Sequence, residues 1–172
     1  MKTLRLGLLL LLTSLSFLYA SAQHPSMSKK YDNNEIEKMV QAFKMEYSQN
    51  VVPTELLVQK FRKDFPNAYD IEWEKAASLY EIEFEIRGSD YQAYYDEQGH
   101  LVMLIYDIYQ SDLPDLIKKQ ITSKYPNYRF DDIERIIKGT DVSYNVEMER
   151  GDVDVRIIIK SDGTIISQME DY

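Results

Sequence analysis

Chemistry in this chain would have to come from very few residue types. There is no cysteine, which excludes thiol nucleophiles, disulfides and cysteine metal sites. The two histidines are His24, near the N-terminus, and His100, directly after Gly99. Neither stands in a recognisable setting with a serine nucleophile, and His100 reads as a solvated hairpin residue. Six glycines, none in a phosphate-loop spacing, give no nucleotide motif. Carboxylates are plentiful: Asp131 and Asp132 are adjacent, Asp152 and Asp154 alternate, and "DEQGH" (96–100) and "KSDGT" (160–164) place acids beside glycine. A calcium loop requires three spaced acids, a glycine and a distant glutamate, and that pattern is missing. Turn formation explains these acids better. The expectation is therefore no catalytic residue, no cofactor and no metal site.

What remains is a surface. "YEIEFEI" puts Tyr80, Ile82, Phe84 and Ile86 on one side of a strand and Glu81, Glu83 and Glu85 on the other. "YNVEME" repeats the pattern, with Tyr144, Val146 and Met148 against Asn145, Glu147 and Glu149. The wet side then displays Glu81, Glu83, Glu85, Gln92 and Tyr94, followed by Asn145, Glu147, Asp154, Arg156 and Ile158. A tyrosine and an isoleucine exposed among acids favour protein contact, because rigid side chains lose little entropy on binding. The candidate protein-binding face is accordingly Glu81, Glu83, Tyr94, Glu147, Asp154, Arg156 and Ile158.

The elements that must position this face come in two copies. "FPNAYDIEW" (65–73) is echoed by "YPNYRFDDI" (125–133). In each, an aromatic closes an amphipathic helix and the proline prevents its continuation. The first helix opens at Pro53 and carries Leu57, Val58, Phe61 and Phe65. The second opens at Pro114, with Ser111 or Asp112 as possible caps, and carries Leu116, Ile117, Ile121 and Tyr125. A short strand around Trp73 or Ile133 follows, then three antiparallel strands separated by glycine turns. Tyr80 to Gly99 and Tyr144 to Gly163 span the same 19 residues, while four extra residues precede the second set. "LVMLIYDIY" (101–109) is apolar on both sides and belongs at the sheet centre or at the junction of the copies. A further helix from Asn34, with Ile36, Met39, Val40, Phe43 and Tyr47 in its stripe, precedes the repeats as a cap or a mobile extension. The fold class expected is α+β, with two tandem helix-plus-antiparallel-sheet units and helices on one face of a curved sheet. The divisions are 1–22, 23–50 (lead-in and N-terminal helix), 51–110 (first unit) and 111–172 (second unit), with 51–172 one compact domain.

The first residues, MKTLRLGLLLLLTSLSFLYASAQ, combine Lys2 and Arg5, an apolar run and Ala20-Ser21-Ala22, which predicts a signal peptide cleaved after Ala22. The run is too short and interrupted for a permanent span. Cleavage removes two of the 20 Lys+Arg and none of the 29 Asp+Glu, so the net charge moves from −9 to −11. That sign disfavours nucleic acid and anionic lipid and favours a basic protein or peptide.

Residues 51–172, with "FP.A..I.W", "Y.I.F" and "YYDEQGHLV", resemble the PepSY-like family of exported bacterial proteins. The markers are Phe65, Pro66, Ala68, Trp73, Tyr80, Phe84, Tyr95, Asp96 and Gly99. The second unit departs at Tyr128, Ile133 and Lys160, which stand for the alanine, tryptophan and acid. The resemblance implies a beta-lactamase-inhibitor-protein-like fold and a role in binding or inhibiting an exported protein, with no catalytic residues to carry over. The function expected is a non-catalytic binding protein, periplasmic or secreted, that holds a protein or peptide of the cell envelope on the solvent face of its sheet. The alternative is an acidic envelope structural or stress protein without a defined site.

Overall fold

The computed structural model describes residues 25–171. The expected cleavage site and His24 lie outside the described residues. The elements run α1 (Asn33–Met45), β1 (Gln49–Asn50), α2 (Glu55–Asp64), β2 (Tyr69–Ala76), β3 (Leu79–Ile86), β4 (Ser89–Asp96) and β5 (Leu101–Asp107). A 3-10 turn at Gln110–Asp112 leads into α3 (Asp115–Lys124), β6 (Arg129–Lys138), β7 (Asp141–Arg150), β8 (Val153–Lys160) and β9 (Ile165–Asp171). Among the described residues, all nine strands form one antiparallel sheet in sequence order, so the two units share a single sheet.

Each helix ends where its sequence dictates. Thr54 caps α2 by accepting from the Leu57 amide, and Phe65 closes it with Pro66 next in line. Neither Ser111 nor Asp112 caps α3: Pro114 takes the cap position without a side-chain hydrogen bond, because the 3-10 turn uses up those residues. Leu57, Phe61 and Phe65 of α2 bury against Tyr80, Ile82, Phe84 and Tyr95. The Phe61 ring lies edge-on to Phe84 (4.9 Å) and to Trp73 (5.4 Å). Burying one such ring stabilises the fold by roughly 2–3 kcal/mol. Ile117 and Ile121 of α3 repeat the arrangement over Tyr144, Val146 and Met148. The two repeat helices thus share one face of the sheet, as expected.

The third helix lies on the opposite face. Ile36, Val40 and Phe43 of α1 bury against Leu79, Tyr94, Val102 and Met103. This explains why the 101–109 segment is apolar on both sides: α2 covers Leu104 and Tyr106, α1 covers Val102 and Met103. β5 is the central strand, paired with β4 of the first unit and β6 of the second. Asp32 and Glu35 form a reciprocal capping box at the start of α1. Tyr47, expected in the α1 stripe, instead lies beyond the helix end and is exposed.

The four extra residues of the second unit lengthen a hairpin. β6 and β7 have ten residues each, against eight in β2 and β3. The longer hairpin reaches α1. Its turn residue Gly139 has φ +56, and a Cβ there would come within 2.5 Å of Asn33 Oδ1 and 3.1 Å of Ile36 Cδ1. The Gly139 amide also donates to the Val102 carbonyl (3.2 Å), and Lys138 pairs with Glu37 of α1. Glycine is needed here both for the left-handed backbone and for the close approach.

Candidate functional site

The face of the sheet opposite α2 and α3 carries the expected binding residues, and α1 divides it in two. Under α1, Tyr94 is 2 % exposed and packs edge-on against Phe43 at 5.6 Å. Its hydroxyl donates to Glu81 (2.7 Å), itself buried and also bonded by Gln92. Burial raises the Glu81 pKa, opposed by the hydrogen bond from Tyr94. Burial and that same carboxylate drive the tyrosine hydroxyl upward. Tyr94 and Glu81 therefore do not form an open surface. Strand alternation put them on the correct face, but it could not show that a helix from outside the repeat would cover them.

One carboxylate fastens the chain just before this helix. Asp96 accepts from the Tyr31 hydroxyl (2.8 Å), Lys30 Nζ (3.1 Å), the His100 ring (2.8 Å) and the amides of Gln98 and His100 (2.9 Å each). Burial pushes its pKa up, but the hydrogen bonds from His100, Tyr31 and Lys30 more than offset that and hold it at about 2. Lys30 and Tyr31 lead directly into α1, so Asp96 ties the entry of that helix to the β4–β5 hairpin. The matching residue of the second unit is Lys160, which cannot accept these bonds.

Beyond the edge of α1 the face is open and acidic. A groove of about 470 Å³ is lined by Asp70, Glu72, Glu83, Glu85, Asp90, Asp107 and Glu134, with Gln92 and Ile105 between them and no lysine or arginine. Carboxylate oxygens of Asp107, Asp132 and Glu134 lie within 4.8 Å of one another, a group able to hold a hard cation or a cationic side chain. Burial, then repulsion from Asp132, Asp90 and Glu134, raises Asp107 to about 6. Asp132 was legible only as a turn acid, whereas it sits at the β-bulge of β6 between Phe130 and Ile133. Asp107 stands at the end of an apolar stretch, where the sequence carries no signal for a site.

The second unit completes the open face. Glu147 pairs with Arg156 across β7 and β8 (2.6 Å), and Arg129 pairs with Glu149. Asn145 donates to Glu134 (2.8 Å) and faces Ile158, which is half-buried. Asp154 sits in register with Glu149 on one side and Asp171 on the other. Exposed Ile166 and Met169 lie beside Ile158 and Arg156 on β9. Of the residues expected to bind, Glu147, Asp154, Arg156 and Ile158 come together here, Glu83 lines the groove, and Glu81 and Tyr94 lie beneath α1.

Comparison with known proteins fits this architecture. The family model described as "Putative beta-lactamase-inhibitor-like, PepSY-like" matches twice, over residues 28–103 and 102–167. The chain belongs to the PepSY-like family. The first match begins at residue 28, so it takes in α1 as well as the repeat elements. A BLIP-like protein from Bacteroides fragilis has the same fold at 19 % identity and TM-score 0.58, covering 74 % of this PepSY-like chain and 90 % of its own. A DUF2874 family protein from Bacteroides uniformis matches at 18 % identity and TM-score 0.60, covering 69 % and 90 %. A protein from Bacteroides eggerthii, described as a candidate periplasmic protein, matches at 13 % identity and TM-score 0.61, covering 70 % and 90 %. No curated protein matches the sequence. Among the described residues no helix is long and apolar enough to cross a membrane.

Proposed function

We propose that this PepSY-like protein is an exported, non-catalytic binding protein that holds a protein of the cell envelope on the open part of its sheet. The observation that carries the reading is the unequal covering of the two units. α1 buries Tyr94 and Val102 in the first unit, while among the described residues no helix covers Ile158 and Ile166, their counterparts in the second. An apolar centre rimmed by Glu147, Arg156 and Asp154 has the make-up of a protein interface, with a desolvated middle and a polar edge. Export is supported by the leading sequence and by the description of the Bacteroides eggerthii relative. The groove's converging carboxylates can accept a cationic side chain, which supports a binding role.

Affinity capture from the envelope fraction of the producing cell tests this. A partner retained at about 0.5 M salt and lost with Ile158→Ser supports an interface with an apolar centre. A mixture of basic proteins, all released by salt and indifferent to Ile158→Ser, rejects it in favour of an acidic protein without a defined site.

A further inference from the structure

The internal repeat says more about what the open face takes. The bulge between Tyr94 and Tyr95 that lifts Val102 toward α1 recurs between Ile158 and Ile159, opposite Ile166. Position by position, Tyr94 corresponds to Ile158, Val102 to Ile166 and Ile105 to Met169. Val102 is fully buried beneath α1, whereas Ile166 is 54 % exposed and Met169 53 % exposed. At these positions the second unit therefore keeps the apolar part of a helix seat, and among the described residues no helix lies on it.

The surroundings set the charge of the missing occupant. Glu149, Asp154 and Asp171 stand directly opposite one another across three strands. Like charges in that arrangement repel and cost stability. The neighbouring cations are committed, Arg129 to Glu149 and Arg156 to Glu147, and among the described residues Asp154 and Asp171 make no ion pair. The acidic groove lies on the same face and is joined to this patch through Glu134 and Asn145. A second copy of the chain would bring the same acids against these and is disfavoured by a net charge of −9.

We infer that the open face of the second unit is the seat of an amphipathic helix from a partner protein. The helix lays an apolar stripe over Ile158, Ile166 and Met169 and turns a lysine- or arginine-bearing edge toward Asp154 and Asp171. The inference rests on the binding reading above and specifies the partner's chemistry. It is the intermolecular counterpart of the seat that α1 takes in the first unit.

The test uses protein purified from the envelope of cells expressing the full-length chain. The probe is a synthetic peptide of residues 33–46 carrying Glu37→Lys and Gln41→Lys, so that the α1 stripe gains a basic edge. Nuclear magnetic resonance maps where it binds. The result expected is shifts confined to β7–β9, affinity about tenfold weaker with Ile158→Ser plus Ile166→Ser, and a smaller loss with a flattened salt dependence for Asp154→Asn plus Asp171→Asn. Both variant pairs keep a cooperative melting transition, since Ile166, Asp154 and Asp171 are exposed and Ile158 is only partly buried. Shifts in β2–β5 with release of α1, or affinity unchanged in both pairs, overturn the inference. So does salt-resistant dimerisation through the same residues. If the peptide fails while an envelope protein is still captured through Ile158, the helix inference falls and the binding reading stands. If both fail, both fall.

Discussion

The two units share a strand register, a bulge and a helix, yet the part of one face that α1 covers in the first is core and the matching part of the second is surface. Three differences produce this. The chain enters through Lys30 and Tyr31 into α1, which only one seat can receive. Asp96 accepts those residues while Lys160 in the second unit cannot. The longer β6–β7 hairpin leans its Gly139 turn on α1 from the second unit, so both copies hold the one helix. The lesson is that a repeated sequence pattern fixes which way side chains point, while an element outside the repeat decides which of them meet water.

The largest expected break in this asymmetry is Phe43→Ala. It removes a ring that is 5 % exposed and packed edge-on against Tyr94, and should cost about 3 kcal/mol in denaturant unfolding and speed amide exchange throughout α1. The change at the matching open face of the second unit, Ile158→Ala, should cost less, about 1 kcal/mol, because that side chain is only partly buried and no helix packs on it among the described residues. Equal losses at the two positions would mean that the second unit's face is as covered as the first.

Next in size is the fastening at Asp96. Its folded pKa of about 2 lies below the ordinary 3.8, so the stabilisation is present above about pH 4 and is lost as pH falls through 2. Asp96→Asn should remove roughly 2 kcal/mol at neutral pH and abolish that acid transition. Asp96→Lys, which gives the first unit the residue of the second, should expose α1 to exchange while β6–β9 stay protected. Global unfolding instead would show that the second unit depends on the first for its own stability.

Asp107→Asn should act in the opposite direction. Asp107 keeps its proton to about pH 6 in the folded chain, against 3.8 ordinarily, because burial and the carboxylates of Asp132, Asp90 and Glu134 disfavour its charge. Stability is therefore reduced as pH rises from about 4 to 6 and remains lower above. The asparagine should recover about 1 kcal/mol at pH 7, after allowance for solvent screening of this half-buried group, and nothing at pH 4. Thermal melts at the two pH values read this directly. The smallest effect belongs to Arg156→Ala. Breaking its exposed pair with Glu147 should change stability by no more than about 0.5 kcal/mol.

The repeat, the helix ends at Phe65 and Tyr125, the alternation of the strands and the face on which Glu147, Asp154, Arg156 and Ile158 stand are all legible in the amino-acid order. These follow from local rules: proline cannot continue a helix, and a strand turns successive side chains to opposite sides. The same rules placed Glu81 and Tyr94 on that face and said nothing about burial, because burial depends on which distant segment arrives to exclude water. That α1 crosses to the face opposite α2, that Asp96 and Gly139 receive it, and that Asp107, Asp132 and Glu134 converge emerge from the folded chain alone. Those outcomes join residues far apart in the chain, and strand pairing brings their carboxylates and apolar surfaces within reach only once the whole sheet has closed its register.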